Sequence, residues 1–158
     1  MQFTDFQVQP FPADFARRVR ATRTDDEGNA VRFLHSTVGG EPVRDGLRRV
    51  EPGEEIILCA YSPFRTRSLY REVGAIFLLA HDPGLTQPPR GVFPPDFLRG
   101  DIVLRAYDAN EEIVTAELLL QGERPEPLIE KFFAEPAVES IHVRFAAYGC
   151  FACRIERI

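Results

Sequence analysis

The sequence is poor in positive charge, in cysteine and in long apolar runs. Its net charge is −5 at pH 7. Phosphate backbones demand a positive field, so nucleic acid is not the expected partner. No stretch of about 18 apolar residues occurs, so neither a membrane-spanning helix nor a membrane partner is expected. The opening residues, MQFTDFQVQPFP, have no basic segment followed by an apolar one, which argues against a secretory signal. Three cysteines make an odd set. Without an export signal they read as reduced thiols in a cytoplasm, not as a disulfide framework. Lysine is nearly missing: Lys131 is the one lysine among 19 basic residues. That bias reads as the codon usage of a GC-rich bacterial genome and has no bearing on mechanism.

Signature motifs are missing too. There is no GxGxxG and no Walker loop, so nucleotide binding has no support. Ser62 and Ser68 lie in no GxSxG elbow, so a hydrolase nucleophile has none either. Cys150 and Cys153 spell CxxC, but beyond them only Cys59 and scattered histidines remain to complete a zinc site. No metal and no cofactor is expected. No repeat, low-complexity tract or domain boundary is visible, and 158 residues suit one domain, 1–158.

What is present is an ordinary globular composition, 44% hydrophobic and 27% charged. A short first strand fits within 3–11. The periodicity predicts a helix from Pro12 to Thr22, with Phe15 and Val19 on one face and Arg17, Arg18 and Arg20 on the other. A polar loop spans 24–29. A strand follows from Val31 to Val38, with His35 partly buried beside Val31 and Phe33. Residues 39–46 and 51–55 read as turns. Ile56–Tyr61 and Gly74–Ala80 are apolar on both faces, as strands inside a sheet are. The Arg-rich segment between them crosses the sheet. Residues 81–95 carry five prolines and form a long surface loop. Ile102–Tyr107 and Ile113–Leu120 form a hairpin. A short helix runs from Pro127 to Ala134, and Pro136 stops it. Hairpin-linked strands outnumber helices, so the expected class is α+β, with a largely antiparallel sheet or half-barrel and two short helices.

The closing stretch, 138–157, concentrates the chemistry. Alternation puts Ile141, Val143 and Phe145 on one face and Ser140, His142 and Arg144 on the other. For both apolar faces to meet one core, Phe145 must pair with Phe151. That register sets Cys153 opposite Val143 in the core, His142 opposite Arg154, and Cys150 in the loop 146–150. A redox CxxC opens a helix, and here the second cysteine lies in a strand, so the motif reads as two small buried residues. The polar face is either a solvated outer face, the simpler reading, or a His/Arg pair able to act as acid and anion clamp. Arg105, on an alternating strand, offers a second anion contact. Arg65, Arg67 and Arg71 with Tyr70 could bind an anion, although a solvated loop is the simpler reading. His81 ends a strand beneath the Pro-rich loop.

The segments PVRDGL (42–47), PGEEIILCAY (52–61), SLYREVGAIF (68–77), LRAYDAN (104–110) and HVRFAAYGCFACRIER (142–157) occur in this order. Together they resemble a bacterial domain-of-unknown-function family, number 1203. The resemblance implies a fold-sized unit and a motif list, not an activity. It draws attention to Arg44, Tyr70, Arg71, Arg105, His142 and Cys150. Two departures stand out. The family pattern resembles PCR at Pro42-Val43-Arg44 and HxH at His142-Val143-Arg144, so a shared cysteine site and a two-histidine metal contact are both missing here.

Three functions compete. A small anionic metabolite could bind in a pocket of Arg44, Tyr70, Arg71, Arg105, His142, Arg144 and Cys150. An exposed sheet edge or the Pro-rich loop could bind a protein partner or a second copy, giving a homodimer. An enzyme could use His142 as general acid or base, with Cys150 as nucleophile.

Overall fold

The computed structural model describes residues 3–158. The chain runs β1 (Phe6–Val8), α1 (Ala13–Thr22), β2 (Arg32–His35), β3 (Pro42–Val43), β4 (Arg48–Arg49), β5 (Glu55–Tyr61), β6 (Gly74–Leu79), β7 (Ile102–Tyr107), β8 (Ile113–Leu119), α2 (Glu126–Phe133), β9 (Ser140–Phe145) and β10 (Phe151–Arg157). The strands make two five-stranded sheets. The first has the order β1-β10-β9-β7-β8 and the second β2-β5-β6-β3-β4. All pairings are antiparallel except β3 with β6. The fold is α+β, as expected, and neither sheet closes into a barrel.

Each helix covers one sheet. Phe15, Ala16 and Val19 of α1 pack on Ile57, Cys59, Ile76 and Leu78 of the second sheet. Burying Phe15 and Val19 stabilises this contact by about 1.5–3 kcal/mol per side chain. From the same helix Arg20 reaches the buried Asp45 and donates to the Leu79 carbonyl at 3.1 Å. Leu128, Ile129, Phe132 and Phe133 of α2 pack on Ile141, Val143 and Ile155 of the first sheet. Arg157 donates to the Phe133 carbonyl at 2.8 Å, capping the end of α2 with a positive charge.

Both helices and the two hairpins lie where the sequence puts them, and the differences are local. The strand expected over 31–38 contracts to β2, an edge strand. His35 is exposed there, 3.4 Å from Glu55, and not partly buried. Residues 39–46 are not a turn alone, because Pro42–Val43 form β3, which with β4 adds a small hairpin to the edge of β6. The Pro-rich segment runs beside β1: Gln7 donates to the Pro88 carbonyl at 2.7 Å and the Gly91 N–H to Phe6 at 2.9 Å. Gly91 has φ +69°, and a Cβ there would stand 2.7 Å from the Cβ of Thr4, so both conformation and space require glycine.

The closing hairpin keeps the expected pairs Cys153–Val143 and Arg154–His142, but a bulge between Phe151 and Cys153 pairs Phe151 with Arg144, not with Phe145. The extra residue reverses the parity of everything before it. Phe151 therefore turns away from Cys153 and meets His142, with ring centroids 5.5 Å apart. Ala152 joins Cys153 in the core instead.

Candidate functional site

The sequence-predicted residues separate into three places. The first is the face of β9 that carries His142 and Arg144. It is not a solvated outer face: every residue of β9 is buried, because β9 lies between β10 and β7 and the segment 62–73 crosses over it. That segment is tied down at both ends. Glu111 accepts the N–H groups of Arg65 and Thr66 at 2.8–3.0 Å. Glu72 lies 3.0 Å from Arg105 Nη1 and 2.7 Å from Arg144 Nη2.

His142 is 1% exposed and walled by the rings of Phe64, Tyr107 and Phe151, with centroids 4.5–5.5 Å away. Arg154 Nη1 lies 3.3 Å from its Nε2. A guanidinium cannot accept a hydrogen bond, so Nε2 is the acceptor and Nδ1 carries the proton. Burial, reinforced by Arg154, Arg144 and Arg105, pulls its pKa down to about 3. A neutral imidazole in an aromatic cage is a poor proton shuttle at neutral pH.

The second place is a groove of about 1230 Å³ between the two sheets. Arg44 and Cys150 belong here, together with Arg49 and Arg99, which the sequence did not single out. Arg44 follows β3 and is 1% exposed. Its donors meet no carboxylate: Nε reaches the Phe151 carbonyl at 2.8 Å, Nη1 the Pro42 carbonyl at 2.6 Å, and Nη2 the Cys150 sulfur at 3.3 Å. Arg49 likewise donates to the carbonyls of Gly40, Asp96 and Arg99 at 2.9–3.5 Å. The guanidinium carbons of Arg44 and Arg49 both stand 5.3 Å from the ring centre of Phe145, within cation–π range.

Three arginines and two acids, Glu41 and Asp101, line this groove without pairing. Among the described residues, no carboxylate pairs with Arg44, Arg49 or Arg99. The acids on its wall are engaged elsewhere, Glu41 by the Ser36 hydroxyl and Asp101 by the Gln121 N–H. Burial lowers the pKa of Arg44 against an opposing pull from the adjacent Cys150 sulfur; burial and then Arg99 lower that of Arg49. A buried cation without a counter-charge is costly, and its natural complement is an anion. The rest of the wall is apolar, with Leu58 and Phe77 from the second sheet, Val73 from the end of segment 62–73 and Leu118 from the first sheet.

The third place is the exposed part of segment 62–73. Tyr70 is half exposed there, and Arg71 pairs with Glu27 at 3.3 Å. Neither residue faces the groove or His142. His81 is exposed just beyond β6. Cys153 and Cys59 are buried, so CxxC offers no dithiol pair. Among the described residues, no three His, Cys, Asp or Glu side chains gather where they could hold a metal ion. No helix among them is long and apolar enough to cross a membrane.

Two largely antiparallel sheets, each backed by a helix and meeting along an arginine-lined groove, define a small α+β protein. The chain belongs to the family described as Protein of unknown function (DUF1203), which it matches over residues 40–157. That span starts at the groove's edge, at Gly40, and takes in Arg44, Arg49, Arg99, Arg105 and Arg144. No curated protein and no solved structure matches the chain.

Proposed function

We propose that the protein binds a small amphipathic anion in the groove between its sheets. Arg44, Arg49 and Arg99 receive the anionic group, and the wall of Leu58, Phe77 and Leu118 receives the apolar part. The observation that carries this reading is the unpaired charge: three guanidiniums at one groove, one of them 1% exposed, none in an ion pair with a carboxylate among the described residues. Arginine suits the task because its planar fork grips carboxylate or phosphate through two parallel hydrogen bonds.

Isothermal titration with decanoate and with decyl phosphate tests the reading. At least one should bind the wild-type chain, and Arg49→Met or Arg99→Ala should weaken it about tenfold, the worth of one charge-assisted contact. Binding of neither probe, or unchanged affinity in both variants, defeats it.

A second reading has one observation in its favour. β8 is an edge strand that exposes Val114 and Leu118. Such an edge can pair with a second copy. Sedimentation at rising concentration decides, because a monomer throughout removes self-association.

A further inference from the structure

Arg144 is 5% exposed, yet its guanidinium is only half used. Nη1 donates to the Gly149 carbonyl at 3.1 Å. Nε and Nη2 are buried and have no hydrogen-bond partner. Glu72 Oε2 comes within 2.7 Å of Nη2, so charge meets charge, but without the alignment of a hydrogen bond. Nε and Nη2 form the edge of a guanidinium that a carboxylate grips with two parallel bonds. Arg105 supplies a further donor, Nη1, 3.0 Å from Glu72 Oε1.

Glu72 is thus a carboxylate held between two arginines in a pose that does not grip the Nε–Nη2 edge of Arg144 with two parallel bonds. Its side chain is 47% exposed and belongs to a segment without helix or strand, so its release breaks no sheet. Val73 and Gly149, next to Glu72 and bonded to Arg144 respectively, both line the groove.

We propose that Arg105 and Arg144 form a second anion subsite beside the groove, occupied by Glu72 until a ligand carboxylate displaces it. The inference rests on the groove reading only for the rest of the ligand, which becomes an apolar molecule with two anionic groups. Effective concentration explains why such a ligand is needed. A tethered Glu72 sits over the arginines at a local concentration of millimolar order, and free monocarboxylates compete poorly with that. A carboxylate on a molecule already seated in the groove competes on equal terms.

The test uses the full chain and acetate exchanged for chloride at fixed ionic strength, read as a shift in unfolding midpoint. Acetate should bind Glu72→Gln about tenfold more tightly than wild type. The gain should vanish in Glu72→Gln/Arg105→Met and persist in Glu72→Gln/Arg99→Ala. Persistence without decanoate or decyl phosphate binding to wild type would sink the groove reading and leave the subsite standing. No gain in Glu72→Gln makes Glu72 a strut and overturns the subsite. Should Glu72→Gln not fold, amide exchange of wild-type residues 64–73 decides: acetate raised to about 1 M, far above the local concentration of tethered Glu72, must speed it, and unchanged exchange overturns the proposal.

Discussion

Arg44 and Arg144 hold consecutive residues of one turn. Arg44 Nη2 donates to the Cys150 sulfur at 3.3 Å, and Arg144 Nη1 donates to the Gly149 carbonyl at 3.1 Å. Arg144 reaches the turn from the His142 face of β9, while Arg44 reaches it from beside Phe145 of the other face. The turn that closes β9 and β10 is therefore fixed by guanidiniums from both sides of the strand, and one of them comes from the opposite sheet.

Arg44→Met should destabilise the fold by about 2–4 kcal/mol. It removes charge-assisted bonds to the Phe151 and Pro42 carbonyls and leaves both acceptors short of a partner. Arg99→Ala should shift stability by no more than about 0.5 kcal/mol, since Arg99 is exposed. Urea unfolding of both variants checks the contrast. Equal effects would mean that Arg44 is not a structural tie between the sheets.

His142 should make stability depend on pH in a definite direction. In the folded chain its pKa is about 3; in the unfolded chain it returns to the ordinary value near 6.5. Between these values the unfolded state binds a proton that the native state refuses. The contribution is fully present above about pH 6.5 and falls as pH drops, by about 1.4 kcal/mol per unit between roughly pH 6 and 4. Other groups titrate there too, so the measurement is the difference between wild type and His142→Gln, which keeps an acceptor for Arg154. Parallel stability curves for the two proteins would contradict the burial of His142.

How the sequence reveals this fold depends on range. Helix α1 and the strand pairs β7–β8 and β9–β10 are legible because Phe15 with Val19, and Ile141 with Val143 and Phe145, repeat at the period of their element. Even Cys153 opposite Val143 follows from parity. Phe151 does not, because a bulge adds one residue and no local signal marks it. β3 and β4 are two residues each, too short to show any period. The polar face of β9 looks solvated in sequence, since Ser140, His142 and Arg144 alternate with apolar residues. What buries it is the segment 62–73, far along the chain and polar itself. Arg49 and Arg99 stand in unremarkable contexts, and only the meeting of the sheets brings them to Arg44.

The pair Arg20–Asp45 should be the strongest tie between α1 and the second sheet. Asp45 is buried, receives Arg20, and also accepts the Leu79 N–H at 3.0 Å. Asp45→Asn leaves a largely buried guanidinium uncompensated, at a cost of about 2–4 kcal/mol. Removing both charges in Arg20→Met/Asp45→Asn should recover part of that loss. A double-mutant cycle on urea midpoints measures the coupling, and a value near zero would show that the pair contributes only packing.

Native-state labelling with a thiol reagent should modify Cys150 well before the other cysteines. Cys59 and Cys153 are buried, and burial pushes both thiols up to about 12, so neither accessibility nor thiolate population favours reaction. Cys150 is half-buried and opens on the groove beside Arg44. Mass analysis after a short pulse should find a single adduct on the peptide that contains Cys150, with the others modified only in denaturant. Decanoate or decyl phosphate, whichever binds, should slow that adduct in proportion to occupancy, because the ligand and the reagent share the groove. A probe that binds tightly yet leaves Cys150 labelling unchanged would have to sit elsewhere, and would separate the arginine groove from the binding site.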